Sequence, residues 1–584
     1  MRSMRKSRAP ICWCGGLVLA ALVAAAPAFA GESQDDVDNP TFVICTRSVD
    51  ALIQRAEHVL TLAGAEDRID RMREIITFLN DLDGVDRKQP VGLFVYVPPP
   101  GAEPEVVGFI PVARLDNLRQ TVTRIDGLNV SPGDADDEWI LQSGEKTLHV
   151  RIADDYAYVA QNRSRLAGTL PDVVEHTRDL TDQYDAAVSF RRSGLPPIYS
   201  AAVMAKLHQD AASDLLRKEH ESDSEYRLRK RASESLMWLV EQVVTSSERA
   251  TIGLSLAGED QTIKLDAILQ ATEQSELARL LGSLAGEESG PAIADDDAVG
   301  LQVDTSLTLT GEGRDVLSEV VRQLRAEVDR DLGKDPSARA VLEQPLSVIL
   351  DSLEGTVEAG RFQGALRIMG DAPGQMVMLA GIRIEQADDV GEALREFLPF
   401  LAHSEDVRRI DLDAGSAADV DFHRIVHKQV RKQDRFLYGP EPGLYLGAGR
   451  GALWLALGGS ETPHVLRRAV TDAVEHQTRP ATAGPLPLLM VDIRMTPWIE
   501  FIRSGTGNRE KAFAAAAQAA FADTHRDRLH AELTAREGEL RLSVRMDEAY
   551  LRMLGPLLVD RKRSPSPDEP QTELLRPRSS KPDR

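Results

Sequence analysis

"LHVRIADDYAYVAQNRSRLAGTL" runs from Leu148 to Leu170 and reads as two strands around a turn, followed by the start of a helix. Leu444 to Val470, "LYLGAGRGALWLALGGSETPHVLRRAV", writes the same order again about 300 residues later. Tyr156 and Tyr158 in the first stretch, and Leu453 and Leu455 in the second, take strand positions of equivalent hairpins. Asn162 and Ser460 fall near equivalent helix starts, where a short polar side chain can cap free N–H groups.

Working outward, three further stretches recur in the same order. "GLFVYVPPPGAEPEVVGFIPVARLDNLRQTV" from Gly92 matches "GALRIMGDAPGQMVMLAGIRIEQADDVGEALREFL" from Gly364. Each is a strand, a Pro/Gly turn, a strand and an amphipathic helix, with Leu115, Leu118 and Val122 in one and Val390, Leu394 and Leu398 in the other at helical spacing. "AAVSFRRSGLPPIY" from Ala186 matches "PLLMVDIRMTPWIEF" from Pro487, a strand leading to a proline-marked helix start. "ATIGLSLAGEDQTIKLDAILQATEQSELARLL" from Ala250 matches "RLHAELTAREGELRLSVRMDEAYLRML" from Arg528, two strands across a polar turn and then a helix. Leu529, Ala531 and Leu533 alternate with polar residues, as do Leu540, Leu542 and Val544, a period of two that predicts a sheet with one buried face. Both copies open on a strand and an amphipathic helix, from Thr41 and from Ala298.

The expected architecture is therefore α+β, with two tandem homologous modules, each a mostly antiparallel or mixed sheet with helices packed on one face. The expected boundaries are a cleaved leader over 1–30, copy 1 over 38–288, a linker over 289–295 within "GEESGPAIADDD", copy 2 over 296–558 and a disordered tail over 559–584. If the modules pack face to face, the groove between them is the expected ligand or partner site.

The leader prediction rests on a basic start, MRSMRKSR, an apolar run from Ile11 to Ala26, and the small-x-small site Ala28-Phe29-Ala30. The run is short of the roughly 20 residues a spanning helix needs. Cys12 and Cys14 open that run and do not follow it, unlike a lipid-attachment site. No later stretch is apolar enough to span a membrane, so the chain is expected outside the cytoplasm, periplasmic or secreted after cleavage behind Ala30. Cys45 is then the one remaining cysteine, with no partner for an internal disulfide, and its apolar context "TFVICT" predicts a buried strand residue. The net charge of −23 opposes a phosphate backbone and argues against nucleic acid as partner.

Stretches resembling chemistry fail on spacing. Gly447, Gly449 and Gly451 are spaced G-x-G-x-G and run into a strand, where a dinucleotide loop needs its third glycine three residues on, opening a helix. A hairpin turn is the expected structure. His423 and His427 share a face with Asp419 and Asp421 nearby, yet no third strong ligand follows. His525 and His530 flank a strand start. "DADDEW" and "ADDDA" lack the calcium-loop spacing, and no nucleophile elbow, Walker loop or kinase set is present. A long helix is expected between Lys206 and Val244, with Leu236, Leu239, Val240 and Val243 on one stripe, covering the sheet of copy 1 or binding a partner.

The duplicated strand–helix pattern, with repeats such as "YAYVAQNRSRL", resembles bacterial extracytoplasmic families of unknown function. That resemblance implies class and compartment and brings no catalytic residue. The functional expectation is a non-enzymatic envelope protein with a binding or scaffolding role, its partners possible envelope proteins, with no catalytic, cofactor-binding or metal residue assigned. The alternatives are a hydrolase with a site assembled from scattered residues, marked by convergent His, Ser and carboxylates, or a carrier of apolar ligands.

Overall fold

A computed structural model describes residues 39–62, 83–124, 128–144, 146–218, 221, 223–256, 262–284, 298–370, 372–477, 486–504, 508–522 and 526–553. The leader over 1–30, the linker over 289–295 and the tail over 559–584 lie outside the described residues, as do "ADDDA" up to Asp297 and His525.

The first half of the chain runs β1 (Phe42–Thr46), α1 (Val49–Leu62), β2 (Val91–Tyr96), β3 (Glu105–Pro111), α2 (Leu115–Thr123), β4 (Asn129–Pro132), β5 (Glu138–Ser143), β6 (Lys146–Ala153) and β7 (Tyr156–Ala160). It continues with α3 (Ser164–Ala167), α4 (Val173–Gln183), β8 (Ala186–Arg191), α5 (Pro197–Asp214), α6 (Asp223–Ser246), β9 (Ser247–Ser255), β10 (Thr262–Ala271) and α7 (Glu276–Leu284). The second half runs β11 (Val299–Thr308), α8 (Gly311–Leu332), α9 (Pro336–Ala359), β12 (Arg361–Met369), β13 (Val377–Arg383), α10 (Ala387–Leu401), β14 (Val407–Ala417), β15 (Val420–His427) and α11 (Lys432–Tyr438). It ends with β16 (Gly443–Gly449), β17 (Ala452–Gly458), α12 (Thr462–Gln477), β18 (Leu489–Arg494), α13 (Thr496–Arg503), α14 (Asn508–Phe521), β19 (Arg528–Arg536) and β20 (Glu539–Asp547).

The fold is α+β, and every strand pairing among the described residues is antiparallel. Followed pair by pair, the strands make one sheet in the order β4-β5-β6-β7-β3-β2-β1-β8-β9-β10-β20-β19-β18-β11-β12-β13-β17-β16-β15-β14. The order reads the same from either end, with each strand of the second half standing where its counterpart ten strands earlier stands in the first. The halves therefore meet edge to edge through β10 and β20, with Asp266 opposite Ser543 at the middle of the join. This replaces the face-to-face groove considered from the sequence: an unpaired β10 edge exposes a row of N–H and C=O groups, and β20 satisfies them.

The opening stretch is the hairpin β6–β7, and its counterpart is β16–β17. Both turn through two left-handed residues, Asp154 and Asp155 with φ of 49° and 62°, and Arg450 and Gly451 with φ of 54° and 76°. That is the backbone of a two-residue turn matched to strand twist. Each turn also accepts from the residue just past the neighbouring strand: Val112 N–H to Asp155 O at 2.7 Å, and Ile384 N–H to Gly451 O at 3.1 Å. The glycine run is thus a hairpin. Its Arg450 amide donates to the Asp388 carboxylate at 3.0 Å, a partner that would repel phosphate. Asn162 accepts from Ser164 N–H at 3.1 Å at the start of α3, whereas Ser460 makes no such bond among the described residues.

Helices pack on both faces, not on one. On one face of the first half, Val173 and Leu180 of α4 meet Val43, Phe94, Phe109 and Tyr158. On the other, Leu118 and Val122 of α2 meet Ile110, Val150, Ala157 and Val159. In the second half α12 and α10 repeat the arrangement, around Trp454 and Leu379 on one side and around Ile425 and Ala448 on the other. The two-sided cover follows from pleating: the outer strands carry apolar residues at both parities, so both faces must be shielded.

Candidate functional site

The central strands divide sharply by face. Leu93, Ile44, Val188, Ile252, Ala267, Leu542, Leu533 and Leu489 lie directly opposite one another on β2, β1, β8, β9, β10, β20, β19 and β18. At about 4.8 Å per strand this apolar row is roughly 35 Å long. The rows beside it are apolar as well: Val95, Phe42, Phe190, Ala250, Leu269 and Leu540 on one side, and Leu254, Leu265, Val544, Ala531, Val491 and Val303 on the other.

This face is not sealed. Leu93 is 40% exposed, Ile252 44% and Leu542 40%, whereas Ser543, the residue after Leu542 on the opposite face, is 8% exposed. The alternation in β19 and β20 therefore exists as expected, but its apolar side is the more open one. Helices meet this face at its margins, α7 in a cluster with Ala271, Leu269 and Leu540, and α1 against Val91. Val243, near the C-terminal end of α6, packs against the Leu277 and Leu281 cluster of α7, and Ile349 of α9 packs against the cluster that Val390 and Leu394 of α10 form with Ile425. α6 and α8 pack on each other and carry their own exposed apolar residues, Leu236 and Leu239 on α6, Val320 and Leu324 on α8. The helix expected from Lys206 to Val244 is two, α5 and α6, broken where Arg229 turns back to Glu221 and to Leu216 O. Hydrogen bonds from Arg229 hold the Glu221 carboxyl at about 2.

The opposite face holds charge. Lys264, Arg545, His530, Asp492, Gln302 and Arg367 form one cross-strand row, with Asp266, Ser543, Glu532, Met490 and Asp304 in the next. Arg367, 2% exposed, grips Asp304 through both terminal nitrogens at 2.7 and 3.1 Å, and Gln302 donates to the same carboxylate at 2.8 Å. Asp492 accepts from Arg528 and from His530 Nδ1, the latter at 2.9 Å, while His530 Nε2 lies 3.5 Å from Glu532. Burial alone would raise the Asp492 carboxyl; the hydrogen bonds and charges of Arg528 and His530 outweigh it and hold it below the usual range. Asp266 behaves likewise: burial opposes its charge, and Lys264 at 2.8 Å with Tyr184 OH at 3.0 Å overcomes the penalty. Tyr184 fits because Gly253 leaves its ring room; a Cβ there would sit 2.4 Å from it.

These groups do not make an acyl-transfer site. Both ring nitrogens of His530 face carboxylates, and among the described residues no hydroxyl or thiol hydrogen-bonds to it. The corresponding row of the first half is Phe94, Val43, Ser189, Thr251 and Ile268, so the charged row built around Asp492 and Arg367 is not repeated there. One contact is common to both: Arg249 Nε donates to Ser189 at 2.8 Å as Arg528 Nε does to Asp492.

The residues singled out in sequence are dispersed. His423 is buried and accepts Asp413 N–H at 3.2 Å, with its imidazole pKa lowered by burial, while His427 is exposed at the far end of β15. Asp419 pairs with Arg450, and Asp421 lies 3.6 Å from Arg395. Asp134 and Glu138 of "DADDEW" both pair with Arg163. Among the described residues no group of three His, Cys, Asp or Glu side chains is placed to hold a metal, and no helix is long and apolar enough to cross a membrane. Cys45 is buried in β1, and burial pushes its thiol up to about 12. No protein-family model matches the chain, and neither does any curated protein or solved structure.

Proposed function

We propose that this chain is an exported, non-enzymatic binding protein made of two homologous α+β modules, whose ligand surface is the apolar face of the eight central strands. The observation that carries the reading is the uncharged row from Leu93 to Leu489, open at Ile252 and Leu542. Contiguous exposed apolar surface of this extent is rare without a use. The face of a sheet has its backbone groups already spent in the ladder, so it offers side-chain surface only. An occupant held there is apolar, and the acyl chains of an amphiphile suit a long, featureless row. This favours a carrier of apolar molecules over a scaffold.

Homology of the modules is supported by the mirrored strand order, the two matched hairpin turns and the shared arginine at 249 and 528. The periplasmic or secreted location rests on the MRSMRKSR leader and the Ala28-Phe29-Ala30 site. The test is binding of N-phenyl-1-naphthylamine to the purified protein. Its emission should rise on mixing, and Ile252→Asn with Leu542→Asn should weaken binding at least tenfold with unchanged circular dichroism. A wild-type protein that leaves the probe dark would sink the reading.

A further inference from the structure

The paired strands β8 and β9, and their counterparts β18 and β19, each set two arginines directly opposite one another. Arg191 faces Arg249, and Arg494 faces Arg528. Like charges so placed destabilise a sheet unless something neutralises them. In the second half a neutralising group is part of the chain. Asp492, two residues before Arg494 and on the same face of β18, is 5% exposed and accepts from Arg528 Nε and from His530 Nδ1. In the first half Ser189 stands at the position of Asp492, and Thr251 at that of His530, both buried. Arg249 Nε donates to the Ser189 hydroxyl at 2.8 Å, as Arg528 Nε does to the Asp492 carboxylate. The geometry is kept and the negative charge is missing.

Arg191 forms no ion pair among the described residues. Its Nη1 meets His176 Nδ1, and its Nη2 donates to His176 O at 3.2 Å. Burial and the Arg191 charge lower the His176 pKa, so the imidazole is neutral at pH 7 and takes a hydrogen bond without balancing the guanidinium. Asp179 of α4 lies 3.8 Å from Arg249 Nη1, but its side chain is 75% exposed, and a pair so placed is weak. Glu175 of α4 is nearby and pairs with neither arginine among the described residues. Burial and Arg249 outweigh the attraction of Glu175 and Asp179 and lower the Arg191 pKa, as expected of a cation short of counter-charge. Both arginines are half-buried, which leaves them within reach of a small solute.

We propose that Arg191 and Arg249 hold a phosphate group, free or esterified, which supplies to the first half the negative charge that Asp492 supplies to the second. Two planar guanidinium forks match the oxygens of a dianionic phosphate, whereas one fork suffices for a carboxylate. The site lies on the face of the sheet opposite the apolar row, since Ser189 and Thr251 alternate with Val188 and Ile252 along the same strands. It does not depend on that row being a ligand surface.

Isothermal titration of the purified protein with inorganic phosphate, at an ionic strength fixed with chloride, tests this. The wild type should bind one phosphate per chain, and phosphate should raise its urea midpoint. Ser189→Asp supplies the carboxylate of the second half; it should weaken phosphate binding at least tenfold while raising the midpoint in phosphate-free buffer, a gain that a misfolded variant would not show. Arg191→Gln should also weaken binding at least tenfold, whereas Arg494→Gln, the same change of charge in the other half, should leave it unaltered. Phenyl phosphate titrated in parallel tells a free ion from the head of an ester: tighter binding of the ester extends the ligand past the arginines, and equal affinity confines it to the ion. Acetate should bind at least tenfold more weakly than phosphate, and equal affinity would overturn the choice of phosphate. A wild type that binds no phosphate, or binding indifferent to Ser189→Asp and Arg191→Gln, would overturn the site and leave the apolar surface untouched.

Discussion

The two faces of the central strands invert the usual arrangement. One carries Ile44, Leu93, Ile252 and Leu542 and is partly open; the other carries Asp266, Asp492, Ser543 and Arg367 and is buried. Charge can be buried here because each carboxylate has partners that the adjoining strands hold at fixed spacing. Apolar surface stays open at Leu93, Ile252 and Leu542, outside the clusters in which α1, α7 and α14 meet the sheet. Polarity along a strand therefore reports which face a residue belongs to, and the covering helices decide which face is shut.

The sharpest way to break this comparison is to unbalance the buried face. Asp304→Ala leaves the Arg367 guanidinium without its main partner at 2% exposure, and should cost about 3–5 kcal/mol in urea unfolding. Leu93→Asn on the open face, a far greater loss of hydrophobicity, should stay within about 1 kcal/mol, because that side chain is already partly hydrated. Equal losses would show that the open face is closed in solution.

Acid should act on one face only. Asp492 and Asp266 have folded pKa values below their ordinary range, so their contribution to stability is complete above about pH 4 and is lost as pH falls through the folded values. The urea midpoint should drop steeply below pH 4 in the wild type, less steeply in Asp492→Asn, and with the wild-type slope in Leu542→Asn.

The smallest test is chemical and needs a single strand. Cys45 faces the buried side of β1 with its thiol pushed up to about 12, while its neighbour Ile44 is on the open side. In native protein at pH 8, Cys45 should stay unreactive to a thiol reagent for hours; Ile44→Cys in a Cys45→Ala background should react within minutes. Similar rates for the two would contradict the division between faces.

Much of this was readable from the chain. The alternation through Leu529, Ala531 and Leu533, the Asp154-Asp155 turn and the repeated order of elements are local signals, and local sterics enforce them. The edge-to-edge join was not readable. Asp266 finds Ser543 across 277 residues, and nothing near either position announces the other. The charged row was hidden for the same reason: His530 looks like a strand-flanking histidine until Asp492 and Arg545 come beside it. The signal available was that Arg528, His530 and Glu532 fill the alternate positions of one strand, too many titratable groups for a face turned fully to water by chance. The openness of the leucine face was out of reach, because it depends on how much of the sheet the helices that pack on it, such as α1 and α7, cover.

Twenty strands in one antiparallel ladder would be a hazard if the ladder could keep growing. Among the described residues only two strands have a single neighbour, β4 and β14. β4 is four residues long and ends in Pro132, which has no N–H to offer a newcomer. β14 carries Arg408, Arg409, Asp411 and Asp413 and shifts register twice against β15. Each tip thus refuses another strand, one by brevity and the other by charge and irregularity. The β10–β20 join hides the remaining pair of edges inside the molecule, so a sheet large enough to seed a fibre is finished at both ends.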